Sequence, residues 1–273
     1  MESISVEICV VGNELLRGEI QDTNTRFICR LVNSRGGMVT RAIMLPDIEE
    51  TIARAVVATC SRQADLLVVS GGLGPTEDDL TLAAVARGVG VELRLDDTAR
   101  RMVRERYDDF HNRGILAEGG LNPFREKMAW LPAGSRPLDN PVGTAPGVLL
   151  QAGRTAIVCL PGVPGELEAI LSGSLTDLLD QLFGAGGCFA RTLTVRCNDE
   201  SIMAPGMRQV TARFPQVYIK SLARMLGEVP ELDVLFTMTG GTALERQTLV
   251  DDAFAAAQRE MTALGLSHRE KLP

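Results

Sequence analysis

The sequence has few of the side chains on which several common types of site depend. Aromatic residues make up 4% of the 273 residues, so the core must be mainly aliphatic, and the only histidines are His111 and His268. His111 lies at a polar helix end and His268 in the tail, and we expect both to be exposed. No histidine cluster is available for zinc, and no Gly-x-Ser-x-Gly elbow for a serine hydrolase.

Paired cysteines, basic charge and long apolar runs are also missing. None of the six cysteines is spaced C-x-x-C, which favours reduced thiols over a disulfide framework or a zinc site. The formal net charge is -7, which argues against nucleic acid or an anionic membrane as a partner. No segment approaches the ~20 uninterrupted apolar residues of a membrane span, and the N-terminus has no basic start of a signal peptide. We therefore expect a soluble cytoplasmic protein.

Short apolar runs alternate with amphipathic stretches through the first two thirds of the sequence. Buried strands are expected at 6–12 and 64–72, an alternating strand at 38–45, a strand and turn at 154–162, and helices at 22–36, 47–62, 77–87, 97–113 and 164–183. This alternation predicts an α/β fold over residues 1–184, with a mostly parallel sheet sandwiched by helices. Ligands of such sheets bind beyond the carboxyl ends of the strands.

The pattern changes after the Gly-rich segment 184–187. Residues 188–267 follow a β-α-β-β-α order with one interrupted helix, which predicts a small KH-like α+β domain. Residues 1–185 contain 18 Lys+Arg and 25 Asp+Glu, whereas the remaining residues contain 10 of each. The second domain therefore has no basic excess to support RNA binding, and any acidic chemistry is expected in the first domain.

The stretch SGGLGPTEDDLT, residues 70–81, follows the clearest buried strand. Gly71, Gly72 and Gly74 allow positive φ and close backbone approach, and consecutive N–H groups in such a turn form an anion nest. A helix beginning near Glu77 would add its free N–H groups and positive dipole end. The stretch predicts phosphate binding, although it is neither a P-loop nor a G-x-G-x-x-G fingerprint. An acidic Nudix-type helix is also missing.

A purely structural interpretation of the same stretch stays open. A tight strand-to-helix turn would use Thr76 as the N-cap and Asp79 as the capping-box residue. In a phosphate site, by contrast, the carboxylates of Glu77, Asp78 and Asp79 would repel the anion. A hard divalent cation resolves this conflict, because it accepts carboxylate and phosphate oxygens together and lowers the pKa of a bound water.

Four motifs in consistent order carry a resemblance to a known family. They span about residues 4–183 and read VGNELLRGEIQDTNTRFI, SGGLGPTEDDLT, NPVGTAPG and LPGVPGEL. This part is similar to the amino-terminal part of the CinA (competence/damage-inducible protein A) family, which has the molybdopterin-binding fold of molybdenum-cofactor biosynthesis proteins. Residues 188–265 are similar to the small α+β domain that follows in that family. The family's carboxyl-terminal nicotinamide-nucleotide amidase domain is not found in the 273 residues, so deamidation is not expected.

The resemblance implies a metal-dependent nucleotide pyrophosphatase that hydrolyses ADP-ribose or related dinucleotide-like pyrophosphates to AMP and a sugar phosphate. It also implies a divalent cation (Co²⁺, Mg²⁺ or Mn²⁺), in some members assisted by K⁺, and a homodimer. Two alternatives stay open. The chain could bind molybdopterin or serve molybdenum-cofactor biosynthesis without hydrolysis, or it could be a regulatory subunit whose amidase is a separate chain.

The resemblance further implies which residues form the site. Asp79 matches the aspartate of the family's Gly-rich motif, and with Asp47 and Glu14 it is expected to hold metal and act in catalysis. Asn13 stands where the family usually has threonine. Contacts to the nucleotide or pterin are expected from Gly71, Gly72, Gly74, Asn24, Asn140, Gly143, Thr144, Lys127, Pro161 and Gly162.

Two of the acidic candidates also have ordinary structural interpretations. Asp47, with Glu50 three residues later, resembles a capping box at the start of a helix. Glu166 is interpreted as a first-turn carboxylate of the helix 164–183.

Overall fold

The computed structural model describes residues 4–184, 186–224 and 231–271. They form two compact units, one of residues 4–32 and 38–184 and the other of residues 33–37, 186–224 and 231–271. Among the described residues, no helix is both long and apolar enough to cross a membrane.

The first two thirds of the chain form an alternating series of strands and helices. In chain order these are β1 (Ser5–Val11), α1 (Asn13–Leu16), α2 (Asn24–Ser34), β2 (Met38–Leu45), α3 (Glu49–Ser61), β3 (Leu66–Ser70), α4 (Thr81–Val89), β4 (Leu93–Leu95), α5 (Asp97–Asn112), α6 (Pro123–Lys127), β5 (Trp130–Pro132), β6 (Arg136–Leu138), β7 (Gly147–Ala152), β8 (Thr155–Leu160), α7 (Pro164–Ser172) and α8 (Thr176–Phe183). The α/β fold expected from the sequence is confirmed.

The main sheet has six strands in the order β2-β1-β3-β8-β7-β6. The first four are parallel, whereas β7 is antiparallel to β8, and β6 to β7. Alternate residues of β1 enter two cores: Cys9 and Val11 pack with α3, α4 and α5, and Ile8 and Val10 pack with α2, α7 and α8. The sheet is therefore covered by helices on both faces, and its strands are correspondingly apolar on both sides.

Glu7 is the exception among the buried side chains of β1. It is 4% exposed and accepts hydrogen bonds from Thr59 (2.7 Å) and from the Arg62 guanidinium (2.6 Å to each carboxylate oxygen). The Arg62 hydrogen bond holds the pKa of the Glu7 carboxyl below its usual range, against the opposing effect of burial. The pair thus satisfies a charge that the interior would otherwise disfavour.

We expect Glu7→Gln to destabilise the protein by about 2 kcal/mol at pH 7, because a charge-assisted hydrogen bond is lost. Since the folded pKa is depressed, the stabilisation is fully present above the unfolded glutamate pKa of about 4.3 and disappears as the pH falls through the lower folded value. Urea unfolding at pH 7 and in acid measures the difference. Glu92→Gln, which breaks the exposed pair with Arg94, is the control and should leave the midpoint unchanged. An equal Glu7→Gln effect at every pH would contradict the prediction.

Two predicted helix boundaries are wrong. The helix expected from Glu77 begins at Thr81, and Thr76 is not its N-cap. The hydroxyl of Thr76 instead donates to Asp78 and Asp79, and local side-chain bonds of this kind compete with helix formation. The single helix expected at 164–183 ends at Ser172, and a second begins at Thr176.

The break between α7 and α8 has a local cause. Gly173 follows α7 in a non-helical conformation, and the Ser174 hydroxyl donates to the Asp139 carbonyl (2.7 Å). Glycine and serine are weak helix formers, so both residues favour an interruption. By contrast, the predicted cap Asp22 does accept from the Thr25 N–H at the start of α2 (2.9 Å).

The second unit contains β9 (Cys188–Arg196), α9 (Glu200–Arg213), β10 (Tyr218–Arg224), β11 (Glu231–Thr239), α10 (Ala243–Ala263) and β12 (His268–Lys271). Its antiparallel sheet has the order β10-β11-β9-β12, with Phe236 of β11 packed edge-on against Phe254 of α10. The expected interruption of α9 is wrong, because the helix continues through Pro205. His268 also differs from its prediction: it lies in a strand and is half-buried, whereas His111 is exposed as expected.

Candidate functional site

A cleft of about 540 Å³ lies at the carboxyl ends of the parallel strands, and all of its lining residues belong to the first unit. The ends of β1 and β3 and the loops after β2 and β8 contribute to it. The structure brings ten of the predicted site residues to this cleft: Glu14, Asn24, Asp47, Gly71, Gly72, Gly74, Asp79, Thr144, Pro161 and Gly162. It does not place Lys127, Asn140 or Gly143 among the lining residues.

The Gly-rich turn is fixed at both ends. The Gly71 N–H donates to the Leu160 carbonyl (2.9 Å), so this N–H is not available to a ligand. Thr81, fully buried, donates its hydroxyl to the Gly71 carbonyl (2.7 Å) and its N–H to the Gly72 carbonyl (3.2 Å). The first residue of α4 thus holds the Gly71 and Gly72 carbonyl groups in place by hydrogen bonds.

Three consecutive N–H groups of the turn remain available. Within the part of the chain that the structure describes, no hydrogen bond is found from the N–H of Gly72, Leu73 or Gly74 to a protein acceptor. All three residues line the cleft. Backbone donors in such a turn bind anions. The turn is therefore suited to a phosphate.

We expect Gly71→Ala to destabilise the protein by at least about 3 kcal/mol, because it combines backbone strain with a steric clash. Gly71 has φ +105°, and an added Cβ would lie 2.1 Å from the Val11 carbonyl oxygen. Gly90→Ala is a matched control, since Gly90 has φ +77° with open space around it, and only strain of roughly 1–2 kcal/mol is expected there. Urea unfolding of both variants measures the difference, and equal losses would show that the contact with Val11 is unimportant.

The cleft is acidic throughout. Its lining residues include no lysine, arginine or histidine, but six carboxylates: Glu14, Asp22, Asp47, Asp78, Asp79 and Glu166. Two of them belong to the Gly-rich stretch: Asp79 Oδ2 accepts from the Thr76 N–H (2.8 Å) and hydroxyl (2.5 Å), and Asp78 accepts from the same hydroxyl. That hydroxyl lowers the pKa of the Asp78 carboxyl. These carboxylates oppose the approach of an anion at short range.

The expected capping box at Asp47 is wrong, because α3 begins at Glu49 with no side-chain cap. Asp47 Oδ2 instead accepts from the Asn13 N–H at the start of α1 (2.8 Å). The Gly12 N–H likewise donates to the Leu45 carbonyl (3.0 Å), so the loops after β1 and β2 are tied together. This linkage holds Asp47 in the wall that Glu14 also lines.

The three predicted metal ligands line one cleft but do not form a complete metal site by themselves. Among the described residues, no group of three or more His, Cys, Asp or Glu side chains is placed to hold a metal ion. Magnesium is commonly bound by one or two carboxylates together with substrate phosphates, and not by an all-protein cage. The acidic residues fit a divalent cation only when a phosphate ligand supplies further oxygens.

Asn24 carries an unsatisfied acceptor in the cleft wall. Its Nδ2 donates to the Ser70 hydroxyl (3.0 Å) and to the Gly162 carbonyl (2.8 Å), and the carbonyl fixes the orientation of the amide because it only accepts. Asn24 is 6% exposed, and its Oδ1 has no partner. An N–H or O–H group of a ligand would satisfy this oxygen.

Asn140 lies behind the cleft and holds Glu166 at its wall. Asn140 Nδ2 donates to the Ala145 carbonyl (2.8 Å) and to Glu166 Oε2 (2.7 Å), and its Oδ1 accepts from the N–H groups of Val142 (3.2 Å) and Gly143 (2.9 Å). Two donors and two acceptor positions are all that an amide has, so Asn140 has none left for a ligand. Its predicted role as a ligand contact is replaced by a structural one.

Lys127 does not line the cleft either. Its ammonium group donates to the Thr76 carbonyl, on the Gly-rich stretch. The residue therefore supports the loop that carries Asp78 and Asp79, and its predicted direct contact with phosphate is not what the geometry shows.

Comparison with known proteins assigns the fold that carries this cleft. A family profile described as "Probable molybdopterin binding domain" matches residues 7–181. The chain belongs to this family. A protein of Pyrobaculum calidifontis is 38% identical to it over 247 residues, which is 90% of this chain and 91% of that protein. A protein of Thermoplasma acidophilum is 33% identical over 265 residues, 96% and 97% of the two chains.

One solved structure connects the molybdopterin-binding domain to the resemblance noted in the sequence. It is described as "the protein CinA with unknown function from Thermoplasma acidophilum", and it is similar with a TM-score of 0.58 and 36% identity. The match covers 65% of this chain and 98% of that one. The resemblance to the amino-terminal part of the CinA family is confirmed.

Sequence reasoning missed the roles of Ser70, Thr81 and Glu166 in the molybdopterin-binding domain. Ser70 orients Asn24, Thr81 closes the Gly-rich turn, and Glu166 lines the cleft. A signal existed for Ser70, because a polar residue at the end of an apolar strand lies at the ligand edge of a parallel sheet. For Glu166 the signal was weaker, since first-turn carboxylates are common in helices without a site.

Proposed function

We propose that the cleft binds a small phosphorylated ligand of the molybdopterin or nucleotide type together with a divalent cation. The observation that carries the proposal is the juxtaposition of three unpaired backbone N–H groups, at Gly72, Leu73 and Gly74, with six carboxylates and no basic side chain. The N–H groups provide donors for phosphate oxygens. The carboxylates require that the phosphate arrives with a cation.

The residues present are compatible with a pterin or nucleotide. Gly72 and Gly74 would hold its phosphate, and Asp79, Asp47 or Glu14 would contact the cation that accompanies it. The unpartnered Asn24 Oδ1 would accept a hydrogen bond from a ring N–H or a hydroxyl. The cation would supply charge neutralisation and a Lewis acid, while the protein orients the phosphate between the turn and the carboxylates.

The binding proposal is tested on the purified full chain. Pterin fluorescence of co-purified material and calorimetry with ADP-ribose or inorganic pyrophosphate, each with Mg²⁺, are the measurements. Saturable binding to one site, abolished by Gly74→Asp, is expected. Absence of binding by every one of these ligands in the presence of Mg²⁺ would refute the proposal.

The carboxylates favour a second, more specific function, hydrolysis of ADP-ribose. Water would add across the P–O–P bond to give AMP and ribose 5-phosphate, with Asp79, Asp47 and Glu14 around the cation and the Gly-rich turn at the phosphates. A cation shared between carboxylates and a pyrophosphate stabilises the charge that develops when the bond breaks. Release of AMP in the presence of Mg²⁺, Mn²⁺ or Co²⁺ distinguishes this function from binding alone.

A further inference from the structure

Asn24 is a buried side chain of the cleft wall whose hydrogen bonding is incomplete. It is 6% exposed and lines the cleft at the start of α2. Both N–H groups of its amide are used, one by the Ser70 hydroxyl (3.0 Å) and one by the Gly162 carbonyl (2.8 Å). Its Oδ1 has no hydrogen-bond partner among the described residues. The free protein therefore holds a buried acceptor that it does not use.

The surroundings of Asn24 prevent the amide from satisfying this oxygen by rotation. A flipped amide would place Oδ1 against the Gly162 carbonyl oxygen, which can only accept. The fully buried Ser70 has a single proton, and its hydroxyl donates to the Pro161 carbonyl (3.4 Å). A buried polar atom without a partner is destabilising and requires an explanation. A ligand that carries a donor would supply the partner.

The position of Asn24 relates this acceptor to the Gly-rich turn. Its two partners lie where the loops after β3 and β8 meet: Ser70 directly precedes Gly71, and a Cβ added to Gly162 would lie 3.5 Å from the Gly71 Cα. The unpaired N–H groups of the turn begin at Gly72, and two residues of chain span at most about 7 Å. The acceptor and the backbone donors for phosphate are therefore neighbours.

This proximity limits which part of a ligand can donate to Asn24. With a phosphate in the Gly-rich turn, the group attached directly to that phosphate is the one within reach. In a ribose 5-phosphate ester this group is the sugar with its hydroxyl donors, whereas the base of a nucleotide lies beyond the sugar. The ionised phosphate of such an ester has no proton to donate, so the phosphate itself cannot satisfy Oδ1.

We infer that Asn24 is a specificity-determining residue of the cleft, whose Oδ1 accepts a hydrogen bond from a ribose hydroxyl of a ligand with its phosphate in the Gly-rich turn. The inference rests on the proposed function and narrows it from phosphorylated ligands in general to ribose phosphates. Since Oδ1 is buried without a protein partner, the new bond breaks none within the protein. Its contribution to affinity is therefore at least that of an ordinary hydrogen bond.

Calorimetry with ADP and two of its deoxy analogues, at saturating Mg²⁺, tests the inference. ADP has one ribose where ADP-ribose has two, so the removal of a hydroxyl from ADP is unambiguous. We expect 2′-deoxy-ADP or 3′-deoxy-ADP to bind the wild type about tenfold more weakly than ADP, which corresponds to one hydrogen bond. Equal affinity for ADP and both analogues, or no binding of ADP where ADP-ribose binds, would overturn the inference.

Asn24→Ala separates this hydrogen bond from a merely structural role. The variant loses Oδ1 and also the two bonds that fix the loops, so a weaker affinity for ADP is not decisive by itself. The decisive quantity is the ratio of the affinities for ADP and for the weaker deoxy analogue, which should fall from about ten to about one. A ratio that stays at the wild-type value would show that Asn24 acts only on the loops, and the inference would be wrong.

Ser70→Ala is the matched control for this substitution. It removes one of the two bonds that hold the Asn24 amide, but it leaves Oδ1 and the bond to the Gly162 carbonyl in place. The ratio of the two affinities should therefore stay near the wild-type value. A ratio that falls to about one in both variants would show that the hydroxyl is sensed through the loops, and the direct contact with Oδ1 would be refuted.

A ring N–H is the rival donor, and it predicts a different dependence on the ligand. Purine riboside 5′-diphosphate has the ribose and the phosphates of ADP but lacks the adenine amino group. If Asn24 contacts the ribose, any difference in affinity between this ligand and ADP is the same in the wild type and in Asn24→Ala. A difference that disappears in Asn24→Ala would overturn the inference in favour of the ring.

Failure of the inference is distinguishable from failure of the proposed function. If the wild type retains no pterin and binds neither ADP-ribose nor inorganic pyrophosphate with Mg²⁺, the proposed function fails and the inference fails with it. If the wild type binds ADP-ribose but discriminates neither deoxy analogue from ADP, or retains a pterin but binds no ribose phosphate, the proposed function stands and only the inference is refuted.

Discussion

Removal of divalent cations is expected to lower the affinity for ADP-ribose at least a hundredfold at pH 7. The cleft contains six carboxylates and no basic side chain, so a pyrophosphate without a cation meets only like charges beyond the backbone donors of the Gly-rich turn. A hundredfold change corresponds to about 2.8 kcal/mol, which one cation shared by carboxylate and phosphate oxygens readily supplies. Calorimetry in the presence of Mg²⁺ or of excess EDTA measures the difference.

Adenosine is the control ligand, because it has the adenine amino group and the ribose hydroxyls of the adenosine half of ADP-ribose but no phosphate. Any binding of adenosine should be the same with Mg²⁺ and with EDTA. Equal affinity for ADP-ribose under both conditions would show that the backbone donors alone offset the carboxylates, and the proposed cation would then be unnecessary.

The metal dependence has a reciprocal consequence. Among the described residues no group of three potential ligands is placed to hold an ion, so Mg²⁺ alone should bind weakly. By linkage, ADP-ribose must strengthen the binding of Mg²⁺ by the same factor by which Mg²⁺ strengthens the binding of ADP-ribose. The acidic end of SGGLGPTEDDLT therefore functions in this proposal as half of a cation site that the ligand completes.

The elements that the sequence predicted well are those whose signal is local. The strand predicted at 38–45 matches β2, and the apolar runs before Gly12 and Gly71 are β1 and β3. A run of branched aliphatic residues followed by glycine is a local signal for a strand buried on both faces, and tertiary contacts reinforce it. The position of the cleft follows from the same reasoning, because parallel strands end at one edge.

Two of the wrong predictions, those for Asp47 and Asn140, share one cause, namely a partner that is distant in the sequence. Asp47 has the spacing of a helix cap, yet its carboxylate binds the Asn13 N–H, 34 residues away. Asn140 is in a loop of the kind that wraps ligands, yet its amide is saturated by its own loop and by Glu166. Spacing rules describe neighbours within a few residues and carry no information about such pairs. The geometry of the site therefore had to come from the fold.

We expect Asp79→Asn to reduce the release of AMP from ADP-ribose at least a hundredfold if the hydrolytic function is correct. Asp79 Oδ2 accepts two hydrogen bonds from Thr76, and the remaining carbonyl oxygen of asparagine preserves them, so the loop should keep its conformation. What is lost is the negative charge that holds the cation at the pyrophosphate. Loss of several kcal/mol of charge stabilisation in the transition state corresponds to two or more powers of ten in rate.

Glu77→Gln is the matched control for this substitution. Glu77 lies two residues away on the same loop, is exposed, and does not line the cleft, so its replacement removes the same charge without touching the site. The rate of AMP release is measured with each of Mg²⁺, Mn²⁺ and Co²⁺. A loss of rate relative to the wild type that occurs in Asp79→Asn but not in Glu77→Gln, and with every cation that supports activity, indicates that Asp79 is a ligand of each of these cations. If both variants lose activity equally, the effect is one of general charge on the loop. If the wild type and Asp79→Asn release AMP at the same rate, Asp79 does not act in hydrolysis, and the cleft is left with a binding function alone.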